Sequence, residues 1–559
     1  MLIRFQETSE IPGHDLCVIG AGPVGIAVAR QAATEGLSVL LIESGEAAPN
    51  SIGPQLSRAA KWNEAVHSPM EIVSCRALGG TSWWWGGGCV PFDESNFIAR
   101  PYAPGTDWPL TFEKAKLWYP RAAAFLGCGT ANFTSSNEFW TGLRDASFDT
   151  LERRSARNNI GHVWMHTLRR STRIFILLGA TATELHPDQD HTRIIAITLT
   201  SSTKTTKLAV QRCVLACGGL ETTRLLLATQ RKYPLAFDRA GKVLGKFYMG
   251  HISGKIADVV FDNPSRIDDC DFFLDGQHFV RRRFRINPDV RENEKILDIA
   301  FWIDNPPFHD PAHRSGMLSL IWLALAVPFV RRRFVSHGMK IVHAHAGREP
   351  FRYGSHILNI IASPVSSAAA FFKIVYNRYW RSPRRPIFLV RNRAGRYALH
   401  YLAEQLPSAR SSVSLSDKTD PLGMPRLVID FHYSVEDLRS VLRAHEVLDR
   451  ALRSSGLGRL EYRVTEGNRF GSVMRQASDG FHQLGTTRMS KDSSAGFVDE
   501  NCKVHGIENL FIAGSSVFPS SGAANPTFLA VALACRLGSH LAANPDNDRR
   551  HGSSGLEEK

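Results

Sequence analysis

The sequence predicts an α/β unit built on a parallel sheet, interleaved with an α+β unit that carries an antiparallel sheet and a basic helical insertion. Three observations carry that expectation. Near the N-terminus a strand, a glycine-rich turn, a helix and a second strand ending in an acid follow one another between Asp15 and Glu43. Near the C-terminus a second strand–glycine–helix run begins at Asn509. Between them lie strand-like segments and one stretch that holds nearly all of the net charge.

At 559 residues the chain exceeds one typical domain, and length alone points to roughly three to four units. With 43% hydrophobic and 21% charged residues it reads as a globular protein with a large core. The opening residues contain acids and no apolar stretch, so a secretory signal is not expected. The longest apolar run, Met317 to Val330, holds a serine and a proline and falls short of the roughly 18 residues of a spanning helix. Nine cysteines are scattered along the chain. Cys213 and Cys217 have no second metal-type pair, so no zinc or other metal site is expected. Free thiols in a reducing cytoplasm are the expected state.

The formal charge of +14 is uneven. Between Met317 and Leu399 there are 14 bases, and Glu349 is the one acid, giving 14 − 1 = +13. The patterns MLSLIWLALAVPFVRRRF and SHILNIIASPVSSAAAFFKIVYNRYW are apolar helices closed by arginines. Two readings stand side by side. One is peripheral contact of 317–399 with the inner face of a membrane; the other is a helical cap with a solvated basic face. No nucleic-acid partner is expected, because no reading element accompanies the charge.

Taken in order, the segment DLCVIG is a buried strand, and Gly20-Ala21-Gly22-Pro23-Val24-Gly25 follows it into the helical pattern IAVARQAATEG. A second apolar strand ends at Glu43. This is a dinucleotide fingerprint in its proper context, a Rossmann-type unit. Gly20 makes the tight turn, Gly22 lets the backbone meet a pyrophosphate, and Gly25 lets helix and strand pack closely. Glu43 is placed to accept from ribose hydroxyls. Next, Arg76-Ala77-Leu78-Gly79-Gly80-Thr81-Ser82 runs into Trp83-Trp84-Trp85 and three glycines, a density that suits backbone wrapped around a large planar ring.

KIADVVF, HFVRRRFRI and KILDIAFWI read as strands of a sheet on which a substrate lies. Further strands fall within AEQLPSARSSVSLSDKTDPLGMPRLVIDFHYS, and VEDLRSVLRAHEVLDRALRSSG is an amphipathic helix stopped by Gly456. Asn509 to Ala513 is a strand leading into Gly514-Ser515-Ser516. Asn525-Pro526-Thr527 then opens an apolar helix whose free N–H groups face whatever lies there.

The ordered set of fingerprint, GGTSWWWGGG, DWPLTFEKAKLWYPRAAAFLG, VLACGGLETTRLLLAT and the C-terminal stretch FHQLGTTRM…NLFIAGSS…NPT resembles the glucose–methanol–choline family of flavin oxidoreductases. The likeness covers the N-terminal fifth and the regions near 160–255 and 400–542, and is weakest over 256–399. It implies FAD rather than NAD. It implies a backbone contact from Ala182 to the adenine, a return of Gly218 to the flavin with Glu221 and Arg224 tying down the next helix, and a histidine, His251, of unassigned role near the flavin. It further implies phosphate contacts from Gly514 and Ser515, ring contacts from Gly80 to Trp85 and from Asn525 to Thr527, with Arg76 and Gly79 alongside. The tryptophans stand where certain relatives carry a flavin-linking histidine, which implies noncovalent FAD. Gly514 stands where many members have an acid, so only backbone contact is expected there.

Alcohol oxidation needs a base for the hydroxyl proton and a group to orient the alkoxide. Carried over by position, the resemblance makes these His482 and Asn525. The expected enzyme is an FAD-dependent oxidoreductase acting on CH–OH donors, taking a small primary or secondary alcohol such as a sugar, with the electron acceptor open. Its rivals are an idle flavin-binding assembly protein docked through the basic helices, and a flavin enzyme working on C–C or C–N bonds. The expected boundaries are 1–255 for the FAD-binding part with cap elements near 50–150, 256–480 for the substrate-binding part, 481–542 for the return to the FAD unit, and 543–559 for a disordered tail.

Overall fold

The computed structural model describes residues 1–8, 10–135, 140, 142–156, 159–327, 329 and 352–544. The expected tail from residue 545 on and the Arg331–Arg333 cluster lie outside them, while Ala543, its expected first residue, closes a helix. Among the described residues, six strands form a parallel sheet in the order Leu2–Arg4, Ile174–Leu178, Val39–Glu43, Leu16–Ile19, Cys213–Leu215, Leu510–Ile512. The strands Val39–Glu43, Leu16–Ile19, Cys213–Leu215 and Leu510–Ile512 are short, mostly apolar runs buried along their length, as a sheet covered on both faces requires. The first and last segments of the described chain therefore share one sheet. Helices Pro23–Thr34 and Thr527–Ala543 pack against each other over it.

The second sheet has eight strands, all paired antiparallel. Its main path runs Gly458–Tyr462, His251–Phe261, Arg396–Glu404, Ile299–Asp304, His278–Ile286, Ala146–Arg154, Gly88–Cys89. Two of these strands, Gly88–Cys89 and Ala146–Arg154, come from the stretch expected to carry only cap elements of the first unit. The two units are thus interleaved at the level of single strands.

Alternation divides this sheet into unlike faces. Ile299, Phe301 and Ile303, with Leu399, Tyr401 and Ala403, join one apolar core with helix Val435–Ser454. That helix starts at a capping box between Ser434 and Asp437, and the chain leaves it through Gly456 at φ +66°. The opposite face carries Trp302 beside His400 and Arg281 beside Glu152. This charged face meets the first unit. The insertion leaves between the neighbouring strands Ile299–Asp304 and Arg396–Glu404 and includes helices Gly316–Ala326, Tyr353–Ala362 and Pro364–Val375.

Candidate active site

A cleft enclosing about 1450 Å³ of free space, its open mouth included, runs along the C-terminal ends of the parallel strands. Gly20 and Gly25 are demanded by the protein's own packing. A Cβ on Gly20, at φ +102°, would lie 2.5 Å from the Ala216 carbonyl oxygen, and one on Gly25 only 1.8 Å from that of Gly20. Three other glycines that line the cleft behave differently. A Cβ on Gly22 would meet nothing nearer than 3.9 Å, on Gly218 nothing nearer than 3.8 Å, and on Gly514 nothing nearer than 4.0 Å. At Gly22 the bareness serves the space beside it, while Gly218 and Gly514 also answer to positive φ, +86° and +155°.

Three helix N-termini open onto that space, at Gly22–Pro23, Gly218–Gly219 and Pro526–Thr527. Three positive helix ends fit the pyrophosphate of a dinucleotide. Glu43 closes the strand Val39–Glu43 and accepts from the Ala21 N–H at 3.0 Å and the Gly45 N–H at 2.8 Å. Burial pushes its carboxyl up against these bonds. Arg76 donates to Glu221 at 2.7 Å, to Ser44 Oγ at 2.7 Å and to Ser57 Oγ at 2.9 Å, and Arg224 donates to Asp420 at 2.7 Å. The helix after Gly218 is thus tied down by two arginines, where the family likeness pointed to Glu221 and Arg224.

Of the residues expected to hold a cofactor, Gly20, Gly22, Glu43, Arg76, Gly80 and Thr81 line the cleft, and so do Ala182, Gly218, Gly514, Ser515, Pro526 and Thr527. Gly25, Gly79, Ser82 and Trp85 do not. Gly79 turns the chain at φ +97° and its N–H donates to the Ala21 carbonyl. The 3-10 turn Gly80–Trp83 then carries the following residues away from the cleft. Ser82 Oγ accepts from the Ile160 N–H at 3.0 Å, Trp83 Nε1 donates to the Leu78 carbonyl at 3.0 Å, and Trp85 packs on the main core.

The chemistry-bearing groups gather at one end. His482 lines the cleft. Its Nδ1 lies 3.1 Å from an Asp479 carboxylate oxygen and 2.9 Å from Nδ1 of His251. His251 Nε2 lies 3.1 Å from the Ser521 carbonyl oxygen. A carbonyl can only accept, so His251 carries its proton on Nε2 and offers a lone pair at Nδ1. The Asp479 carboxylate also only accepts. Nδ1 of His482 must therefore hold the proton shared between them, so that in the neutral ring the lone pair lies on Nε2.

Asp479 accepts further from the N–H groups of His251 at 2.7 Å, Phe481 at 2.9 Å and His482 at 3.2 Å. Burial pushes this carboxyl up, but His482, by charge and hydrogen bond, and His251 outweigh it and hold it down at about 2. Burial, reinforced by the charge of His482, pushes His251 down to about 3 against the pull of Asp479. His251 is neutral and Asp479 ionised at ordinary pH. The donor atoms of His251, Asp479 and His482 lie within 4.8 Å of one another, a spacing the hydrogen bonds account for without an ion.

Asn525 sits one residue before the cleft-lining Pro526, with Nδ2 2.8 Å from where a Cβ on Gly88 would stand. Its loop is fixed to the charged face of the second sheet. Gln405 N–H donates to Ser521 Oγ at 2.9 Å, Ala523 N–H to Asp298 at 2.9 Å, and Arg283 to the Ala523 carbonyl at 2.6 Å. Beside it, Arg281 and Arg154 both pair with Glu152, at 2.6 and 2.7 Å, and Arg281 lies over Trp302 at 4.6 Å. Burial, opposing the charge of Glu152, pushes the Arg283 guanidinium down to about 9.

Sequence reasoning singled out His482 and Asn525 but missed Asp479, Glu152, Arg281, Arg283 and Trp302, and left His251 without a role. Asp479 was within reach of a local signal, since an Asp-Gly turn places its carboxylate back on the residues that follow it. The others meet only through the sheet.

Residues 407–534 match the family model of the GMC oxidoreductases, across His482, Asn525 and the Gly514 turn. Over these residues the chain is similar to the GMC oxidoreductases. FAD is the cofactor this family implies, and the glycines and helix ends of the cleft fit it. Among curated proteins, the chain is 28% identical to a 6'''-hydroxyparomomycin C oxidase of Streptomyces lividus over 33% of this chain and 36% of that one. It is 37% identical to a C-glycoside 3-oxidase of Arthrobacter globiformis over 21% of each chain. It thus spans about a third or less of the length of these two relatives. Among solved structures, pyridoxine 4-oxidase from Mesorbium loti superposes with a TM-score of 0.52 at 16% identity, covering 94% of this chain and 99% of that one. An FAD-dependent oxidoreductase from Chaetomium thermophilum gives 0.50 at 14% identity over 96% and 100%. These two neighbours share the fold.

Proposed function

We propose that this chain is an FAD-dependent oxidoreductase acting on CH–OH donors, a primary or secondary alcohol of sugar-like character. The observation that carries the reading is the hydrogen-bond chain from Ser521 through His251 to His482, which leaves one basic nitrogen on a cleft-lining histidine. Bound FAD supplies the hydride acceptor. His482 Nε2 takes the hydroxyl proton of the substrate. Asp479 stabilises the resulting imidazolium, and His251 keeps the ring in the orientation that presents Nε2. Asn525 orients the alcohol oxygen by hydrogen bonding from a loop that the second sheet holds still.

The sugar-like substrate is supported by relatives named for oxidising glycosides and aminoglycosides. It is supported too by the charged sheet face with Trp302, a surface rich in donors and acceptors beside an aromatic ring. Noncovalent binding of FAD is supported by the place of Trp83–Trp85 in the sequence, where certain relatives carry a flavin-linking histidine. Nine cysteines, all free, support a reducing compartment such as the cytoplasm.

The test is anaerobic reduction of the bound flavin against a panel of sugars, aliphatic alcohols and sterols. Bleaching by members of the sugar group is the expected result. Flavin that stays oxidised with every alcohol, in the native protein and in His482→Ala alike, would instead mark an idle flavin-binding protein. Reoxidation of the bleached protein by oxygen or only by a dye then identifies the acceptor.

A further inference from the structure

The helical insertion is built inside out. Beside a small apolar cluster of Met317, Leu318 and Val390 and the buried Trp322, the contacts that helices Tyr353–Ala362 and Pro364–Val375 bury are largely polar. His356 Nδ1 bonds Ser319 Oγ at 2.9 Å, Asn359 donates to the Pro311 carbonyl at 2.9 Å, and the Gly316 N–H donates to Ser363 Oγ at 3.2 Å. His356, Ser319, Ser363 and Ser367 are all buried. The large apolar residues of the same helices face outward instead. Leu358, Ile361, Val365, Phe372 and Trp380 are each at least 66% exposed. A helix in water buries its apolar stripe and shows its polar one. Here helices Tyr353–Ala362 and Pro364–Val375 do the reverse.

Three further facts identify what covers this surface. Lys373 and Arg384 are exposed next to it, and the sequence from 317 to 399 holds 14 bases and one acid. Trp380 and Tyr376 stand at its end, aromatic residues of the kind that settle at a lipid headgroup boundary. Finally, no single described helix is long and apolar enough to cross a membrane, while these two pass the length and composition test only together, bent by 91° at Ser363–Pro364. Such a wedge lies in the interface rather than across the bilayer.

The return of the insertion to the second sheet is held by polar contacts. Arg385 pairs with Asp271 at 2.5 Å, Asn305 donates to the Phe388 carbonyl at 2.7 Å, and the Val390 N–H donates to Asn305 Oδ1 at 2.8 Å. The apolar face is therefore held out by its own framework. We propose that the outward face of Tyr353–Trp380 docks on an anionic lipid bilayer, with Leu358, Ile361, Val365 and Phe372 entering the acyl boundary and Lys373 and Arg384 pairing with headgroups.

The experiment uses the full-length, flavin-loaded protein and sedimentation with phosphatidylcholine vesicles, with and without phosphatidylglycerol. Binding to the anionic vesicles that weakens as salt rises is expected. Lys373→Glu and Arg384→Glu should each weaken it by about fivefold or more. Leu358→Asp with Phe372→Asp should abolish it while flavin content and thermal unfolding stay unchanged. As a milder variant, Trp380→Phe should remove fluorescence quenching by brominated phosphatidylcholine. Failure to bind anionic vesicles, or binding that survives the Leu358/Phe372 pair, would overturn the proposal. Self-association without vesicles that this pair abolishes would also overturn it, since the face would then belong to a second copy of the chain.

Discussion

The Nδ1 atoms of His251 and His482 stand 2.9 Å apart, and only one of them can hold a proton. The Ser521 carbonyl decides which, because it claims the Nε2 proton of His251 at 3.1 Å. The loop that carries Asn525 thus helps to set the protonation of a histidine on another segment, through a strand of the second sheet.

His251→Phe should keep flavin and fold but slow flavin reduction by about tenfold, the worth of roughly one hydrogen bond. Asp479 would still hold His482, so the loss should stay well short of that in His482→Ala. Anaerobic stopped-flow reduction of the two variants makes the comparison.

His251 is buried, with its pKa down at about 3, well below the unperturbed value of about 6.5. Its neutral form should persist in the folded protein as pH falls from 7 to 4. Nitrogen-15 chemical shifts of labelled histidine should show it protonated at Nε2 alone across that window. Because the folded value is the lower one, this group's contribution to stability is complete above about 6.5 and declines as pH falls toward about 3.

Asp479 gives a second pH signature of the same sign. Its carboxyl titrates at about 2 in the folded protein, against about 3.9 in an unfolded chain. The contribution, roughly 2 kcal/mol, is complete above about pH 4 and is lost as pH falls through about 2. Chemical denaturation at a series of pH values should show Asp479→Asn to be less stable at pH 7 and its stability flatter with pH in the acid range.

Gly22 and Gly25 separate ligand space from protein packing. Gly25→Ala drives a Cβ into the Gly20 carbonyl and should abolish soluble expression. Gly22→Ala meets no protein atom within 3.8 Å and should fold as the parent apoprotein does. Its flavin content should fall at least about tenfold, the cost of roughly 1.4 kcal/mol of lost contact. Flavin absorbance per chain and the melting temperature of apoprotein read the two effects separately.

How much of this was legible in the sequence depends on how local the cause was. Gly20 and Gly25 are demanded by a turn and a helix a few residues long, so spacing reveals them. His482 and Asn525 sit in motifs short enough to recognise. His251 acquires its role from a partner 231 positions away, and no local pattern marks that. In HFVRRRFRI the arginines fall on both faces, and periodicity does not say that Arg281 and Arg283 turn to Glu152 and the Ala523 carbonyl. Apolar spacing likewise announced the insertion's helices without fixing which side faces outward. The strands Gly88–Cys89 and Ala146–Arg154 were read with the first unit because chain order hides pairing across the interface.

The central claim is that His482, held at Nδ1 by His251 and Asp479, takes the substrate proton as hydride leaves. Single-turnover anaerobic reduction of flavin-loaded His482→Ala by the best sugar substrate tests it most directly. The account predicts full flavin content and reduction slowed by about 10²- to 10⁴-fold. Reduction at the parent rate with flavin retained would contradict it.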